Sequence, residues 1–105
     1  MNAAAISKPP VEPLRVLLVD DSPQFLAAVR RHLALQPWAR VVATALSGAE
    51  AMRLIEAYDP HLVLLDIVMP GTSGIDLTRL IKRLPDAPQV VMLTLHDNAE
   101  YRYHA

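Results

Sequence analysis

The stretch LVLLD at residues 62–66 is the most continuously apolar run in the chain, and it ends abruptly in a carboxylate. An aliphatic run without alternation is typical of a strand that is covered on both faces, as at the centre of a parallel sheet. The run Arg15–Val19 has the same character, and it ends in Asp20-Asp21. The sequence therefore predicts two buried strands that both finish at acidic residues.

Helical patterns separate the predicted strands. Ser22 is a good helix cap and Pro23 suits the first helical position, so a first helix is predicted to begin there and to be closed by Pro37. Ser47 and Glu50 form a capping box at the start of a second helix. Apolar residues at helical spacing predict a third helix, and these are Leu77, Leu80, Ile81 and Leu84.

Two weaker strands, Arg40–Ala45 and Val90–Leu93, complete the pattern, and a fourth helix is predicted to begin near Ala99. Strands that alternate with helices through short connections indicate right-handed βαβ units and a parallel sheet with helices on both faces. In open sheets of this kind, the functional crevice lies outside the carboxyl ends of the strands. That rule brings together the residues that end the strands, which are Asp20, Asp21, Asp66 and Thr94.

Length and composition indicate one globular domain. The 105 residues are 52% hydrophobic and 20% charged, which favours a packed core over intrinsic disorder. The formal net charge of -1 provides no basic field, so direct nucleic-acid binding and membrane binding are not expected. The chain has no cysteine, which excludes disulfides and thiolate chemistry. Residues 1–13 are predicted to be a flexible leader without signal-peptide character, residues 14–105 the domain, and the cytoplasm the location.

The three carboxylates define the expected chemistry. Asp20, Asp21 and Asp66 would repel each other at one sheet edge, so like charges should raise the pKa of at least one of them unless a cation is present. The candidate ligands are all oxygens, which favours Mg²⁺, with Mn²⁺ as an alternative, over Zn²⁺. A metal beside a free carboxylate at a strand tip suits phosphoryl transfer onto that carboxylate.

Three motifs in this order resemble the receiver family of bacterial-type response regulators. They are Asp-Asp-Ser-Pro after the first strand, Leu-Leu-Asp-Ile-Val-Met-Pro-Gly-Thr-Ser-Gly around the third, and Met-Leu-Thr on the fourth. The resemblance runs from about Leu14 to the last residue, and it is strong around Asp66, where Met69, Pro70 and Gly74 match and shape the loop. The amino-acid sequences of these motifs are most similar to those of receivers in helix-turn-helix transcriptional regulators.

The resemblance implies a flavodoxin-like α/β fold, with a doubly wound parallel sheet. Family members have the strand order 2-1-3-4-5, of which 2-1-3-4 is expected here, with the fifth strand and the fifth helix missing. The sheet would then end in the fourth strand as an edge, and an exposed edge invites pairing with another chain. The chain is therefore expected either to self-associate through that strand or to be only marginally stable.

The resemblance also implies a role for each site residue. Asp66 would accept a phosphoryl group from a sensor histidine kinase, in two-component signal transduction and not as an enzyme. Asp20 and Asp21 would hold Mg²⁺, together with Asp66 and the backbone carbonyl of Val68. Thr94 would be the switch hydroxyl that reorients toward the new phosphate.

One departure from the family pattern leaves alternatives open. Family members carry a lysine at the end of the fifth strand, whereas the only lysines here are Lys8 and Lys82, and neither is assigned to that role. The missing lysine favours a truncated or degenerate receiver that acts as a docking or decoy module without productive switching. A small Mg²⁺-dependent aspartyl-phosphate phosphatase ranks lower, because such enzymes generally need an Asp-x-Asp pair and here the two acids are adjacent.

Overall fold

The computed structural model describes residues 12–66, 68–69 and 72–93. The strands are β1 (Leu14–Val19), β2 (Ala39–Ala45), β3 (Leu62–Asp66), β4 (Val68–Met69), β5 (Thr72–Ser73) and β6 (Gln89–Leu93). Four of them form a parallel sheet in the order β2-β1-β3-β6, and β4 and β5 form a separate antiparallel pair. Because β6 is the fourth strand of this sheet in chain order, the observed order is the predicted 2-1-3-4. The predicted fold class is therefore confirmed.

Within the described ranges, the helices are α1 (Pro23–Leu33), α2 (Gly48–Tyr58) and α3 (Gly74–Lys82). Each begins after a serine whose hydroxyl oxygen accepts a hydrogen bond from a backbone N–H of the first turn. Ser22, Ser47 and Ser73 make these contacts at 3.1, 3.2 and 3.3 Å. Such caps satisfy N–H groups that lack a helical partner and contribute about 1 kcal/mol each.

Two helices end earlier than predicted. The first ends at Leu33 and not at Pro37, because the Gln36 N–H bonds to the Leu33 carbonyl, only three residues back. α3 ends at Lys82, and the Leu84 N–H likewise reaches three residues back. Bonds of this span tighten the chain and end the helix. Leu84 still packs against the core from outside the helix.

The loop that Met69, Pro70 and Gly74 are predicted to shape contains a short antiparallel pair of strands. Val68 pairs with Ser73 and Met69 with Thr72 in antiparallel register, and Gly74 is already the first residue of α3. Strands of two residues are too short for hydrophobic alternation to reveal them. The predicted fourth helix near Ala99 lies outside the described residues, as does most of the predicted leader.

The core lies on both faces of the sheet, because neighbouring side chains of a strand point in opposite directions. Leu17 and Val19 of β1 pack into one cluster with residues of β3, α2 and α3. Val16 and Leu18 of the same strand pack into a second cluster with residues of α1. This arrangement explains why β1 is apolar without alternation, as expected for a doubly covered strand.

None of the helices in the described ranges is long and apolar enough to cross a membrane.

The inner strand β1 should contribute much of the free energy of unfolding. Leu17 is 1% exposed in the core, whereas Leu35 is 78% exposed just beyond α1. We expect Leu17→Ala to lower the free energy of unfolding by about 2 to 5 kcal/mol, because it removes buried methyl groups and leaves a cavity. Leu35→Ala, with the same chemical change, should stay within about 0.5 kcal/mol. Urea unfolding measures both, and equal losses would contradict the assigned core.

Candidate functional site

The register of the sheet places two strand ends side by side. β1 runs parallel to β3 with Val19 opposite Leu65, so the next residues, Asp20 and Asp66, reach the same edge. Asp21 follows directly. One carboxylate oxygen from each of the three aspartates lies within 4.8 Å of the other two. The structure therefore brings together the acidic cluster that the sequence predicts.

The acidic cluster is partly buried at the carboxyl end of the parallel strands. The Asp20 and Asp66 side chains are 0% and 3% exposed, while Asp21 is exposed. Asp66 is the last residue of β3, and it pairs with Leu93 of β6. Carboxylates in such a position lose most of their hydration, which is costly unless hydrogen bonds, a proton or a cation replace it.

The two oxygens of Asp20 have different surroundings. Oδ2 accepts a hydrogen bond from the Ser22 backbone N–H at 3.1 Å. Oδ1 is buried and has no hydrogen-bond partner within the part of the chain that the structure describes. Buried polar atoms are normally partnered. An open, buried acceptor beside two further carboxylates is a suitable ligand for a cation.

Burial is the main reason why the pKa of Asp20 rises from 3.8 to about 7. The neighbouring Asp66 side chain raises the pKa further, the Ser22 N–H opposes the rise, and the negative charges of Asp66 and Asp21 add to it. The expected direction of the shift is thus found and the expected like charges contribute to it, but burial is the largest cause. Like charges contribute less than the loss of water around the strand end.

The donor set fits a hard divalent cation. Asp20, Asp21 and Asp66 offer only carboxylate oxygens, which Mg²⁺ prefers and Zn²⁺ favours less. A cation there would satisfy Oδ1 of Asp20 and would reduce the repulsion within the cluster. Binding would also displace the proton that the raised pKa of Asp20 favours.

The other predicted site residues are only partly described. Val68 lies in β4, two residues beyond Asp66 and opposite Ser73. Gly74 is buried at the start of α3. Met69 is described by its backbone alone. Pro70 and Thr94 lie outside the described residues.

One contact at the site does not follow from the motifs. Ser22 is predicted only as the cap of α1, yet its backbone N–H also contacts the Asp20 carboxylate. An Asp two residues before a helix cap is the signal that could have revealed it, because Asp side chains often accept a hydrogen bond from the backbone N–H two residues on.

The sequence matches the family described as the response regulator receiver domain over residues 16–105. It is 39% identical over 92 residues to the transcriptional regulatory protein DegU of Brevibacillus brevis, covering 87% of this chain and 39% of that protein. It is 38% identical over 89 residues to the nitrate/nitrite response regulator protein NarP of Escherichia coli, covering 85% and 41%. The chain thus spans less than half the length of these curated relatives.

The fold is similar to that of a solved receiver as well. The signal receiver domain of the response regulator NarL from Mycobacterium tuberculosis has a TM-score of 0.74 and 35% identity, covering 88% of this chain and 74% of that one. The predicted likeness to receivers of helix-turn-helix transcriptional regulators is confirmed by these relatives. Sequence and structure together show that this chain belongs to the receiver domain family of two-component response regulators.

Proposed function

We propose that Asp66 accepts a phosphoryl group from the phosphohistidine of a sensor histidine kinase, with Mg²⁺ as cofactor. The observation that carries this proposal is the buried Asp66 side chain with Asp20 and Asp21 carboxylates within 4.8 Å, at the edge where the parallel strands end. Membership of the receiver family supports it. The domain would act in signalling and not as an enzyme.

The sheet holds the proposed acceptor in place. Asp66 ends β3, which is flanked by β1 on one side and by β6 on the other. A carboxylate on a doubly paired strand has little freedom, which suits attack in a fixed direction. In the proposed step, an Asp66 oxygen bonds to phosphorus while the P–N bond of the phosphohistidine breaks. The released imidazole nitrogen keeps the bonding electron pair and takes up a proton.

Asp20 and Asp21 are proposed to bind the cation together with Asp66. When bound, Mg²⁺ supplies positive charge that stabilises the transferring phosphoryl oxygens. Asp20 offers its buried Oδ1, and the exposed Asp21 can bind directly or through water. The backbone carbonyl of Val68 is proposed as a further ligand, on the family resemblance.

The remaining predicted residues complete the proposal. Thr94 is proposed as the switch hydroxyl, and Met69, Pro70 and Gly74 as the residues that shape the loop beside Asp66. The chain spans 39% of the transcriptional regulatory protein DegU. We therefore also propose that this domain controls transcription as part of a longer protein. This chain would meet a kinase in the cytoplasm and would not bind nucleic acid or a membrane itself.

A docking or decoy module without productive switching is the alternative. Lys82, like Lys8, is a poor candidate for the phosphate-pairing lysine of the family. It is the last residue of α3, the helix that connects the parallel strands β3 and β6, so it lies toward the end of the sheet where β6 begins and away from Asp66. A receiver without that lysine would be phosphorylated roughly 10²- to 10³-fold more slowly, by analogy with loss of an oxyanion-hole donor.

Another copy of this chain is proposed as a second partner. β6 is an edge strand among the described residues, and its Val91 and Met92 side chains are 44% and 41% exposed on opposite faces. The strand QVVML carries no charge. The other edge, β2, carries Arg40 and pairs with β1 through a register shift. Charge and irregularity protect edges, so among the described strands β6 is the edge better suited to pairing.

The acceptor is tested with a small acyl phosphate. Incubation with Mg²⁺ should add one phosphate to the intact mass, and Asp66→Asn should abolish the gain because an amide is a poor nucleophile. Asp86→Asn is the control, since Asp86 lies near the start of β6, away from the cluster, and Asn tolerates its positive φ of 53°. EDTA should slow the reaction by roughly 10²-fold or more. A folded wild type that gains no mass would favour the docking module.

The raised pKa of Asp20 predicts how stability depends on pH without metal. The folded chain binds the proton more tightly than the unfolded chain, so stability falls as pH rises from about 4 to about 7. Between pH 5 and 8 in EDTA, the wild type should lose roughly 2 to 3 kcal/mol more than Asp20→Asn. Saturating Mg²⁺ should reduce this loss. Denaturant unfolding at each pH measures this loss. The same dependence of stability on pH in the wild type and in Asp20→Asn would refute the raised pKa of Asp20.

Self-association is tested by sedimentation over a range of concentrations. We expect a reversible dimer in the wild type, and Val91→Lys should weaken it by roughly 10-fold or more, since it places a charge on each paired edge. Leu35→Lys adds the same charge just beyond α1, to a side chain that is 78% exposed, and it should leave the dimer unchanged. A wild type that stays monomeric at all concentrations would exclude this partner.

A further inference from the structure

We propose that Ser22 is a positioning residue for the cation site, because the cap of α1 fixes the orientation of the Asp20 carboxylate. The inference rests on the proposed Mg²⁺-dependent function. It assigns to a helix cap the task of deciding which carboxylate oxygen faces the cation.

The contacts of Asp20 define that orientation. Its side chain is completely buried, Oδ2 is tied to the Ser22 N–H at 3.1 Å, and Oδ1 has no partner among the described residues. The Asp20 backbone N–H is also fixed, since it donates to the Ala45 carbonyl at 3.1 Å. With its backbone and one oxygen held, the carboxylate presents the other oxygen as the free ligand.

The Ser22 N–H is itself held by the first turn of α1. The Ser22 hydroxyl oxygen accepts from the Phe25 N–H at 3.1 Å, and the Ser22 carbonyl accepts from the Leu26 N–H at 3.0 Å. Leu26 is buried against β1, in the cluster that includes Val16. Core packing of α1 thus fixes the cap, and the cap fixes the carboxylate. Partners that orient metal ligands in this way commonly change metal affinity by 10- to 100-fold when they are removed.

Ser47 provides the matched control. It caps α2 through the same kind of contact, since its hydroxyl oxygen accepts from the Glu50 N–H at 3.2 Å. Its helix carries the capping-box partner Glu50, which accepts from the Leu46 N–H, and neither contact involves the acidic cluster. Loss of either serine hydroxyl should therefore destabilise the fold in the same way, but only loss of Ser22 should loosen Asp20.

The experiment compares Ser22→Ala, Ser47→Ala and Ser22→Asn in the full 105-residue chain. Isothermal titration with Mg²⁺ measures affinity, thermal melting measures stability, and amide hydrogen exchange at residue 22 reports the contact to Asp20 without metal. Both alanine variants should melt at similarly lowered temperatures. Ser22→Ala keeps the N–H that contacts Asp20 but removes the hydroxyl contact that holds the first turn of α1. Only this alanine variant should therefore weaken Mg²⁺ binding, by up to roughly 10-fold, and speed the exchange. Ser22→Asn should restore most of the affinity, because Asn is an equally good cap.

The outcomes separate this inference from the proposed function. Wild-type affinity in Ser22→Ala would overturn the positioning role while leaving the cation site intact. An equal loss in Ser47→Ala would show that affinity follows general stability, and it would overturn the positioning role as well. A folded wild type that binds no Mg²⁺ would refute the proposed function and this inference together, even if exchange at residue 22 responds as expected.

Discussion

The parallel pairing of β1 with β3 is the interaction on which the site depends. Because Val19 lies opposite Leu65, the carboxylates that follow the two strands meet at one edge. The same sheet that buries the apolar side chains of these strands draws two of the acids below the surface. A stable fold and an electrostatically unfavourable cluster thus have one origin, and a divalent cation is the natural means of reconciling them.

The helices organise that edge from the outside. Every described helix begins at the carboxyl end of the sheet, and each uses a serine to close its first turn. At α1 the closing residue also contacts Asp20, so a local device that ends a loop reaches into the site. In this domain the acidic residues lie at strand ends, and the start of a helix contacts one of them.

Much of this could be predicted from the sequence, because each signal is local. The unbroken run at residues 62–66 identifies a doubly covered strand, and its final Asp66 marks the end of the sheet where the acidic cluster lies. The pairs of β4 and β5, the end of α1 at Leu33 and the open Oδ1 of Asp20 could not be read in this way. They depend on which backbone groups find partners in three dimensions, and on how deeply a side chain is buried. Composition and periodicity contain neither.

Successive side chains of β1 point to opposite faces of the sheet, and this limits the insertions and deletions that the domain can tolerate during evolution. Its successive side chains serve two separate cores, one shared with α1 and one shared with α2 and α3. An inserted or deleted residue would exchange the two sets and would move Asp20 along the strand by about 3.3 Å. Substitutions can therefore accumulate in β1 as long as they stay apolar, but its length cannot drift. The length of β1 therefore fixes the position of Asp20 relative to the two cores.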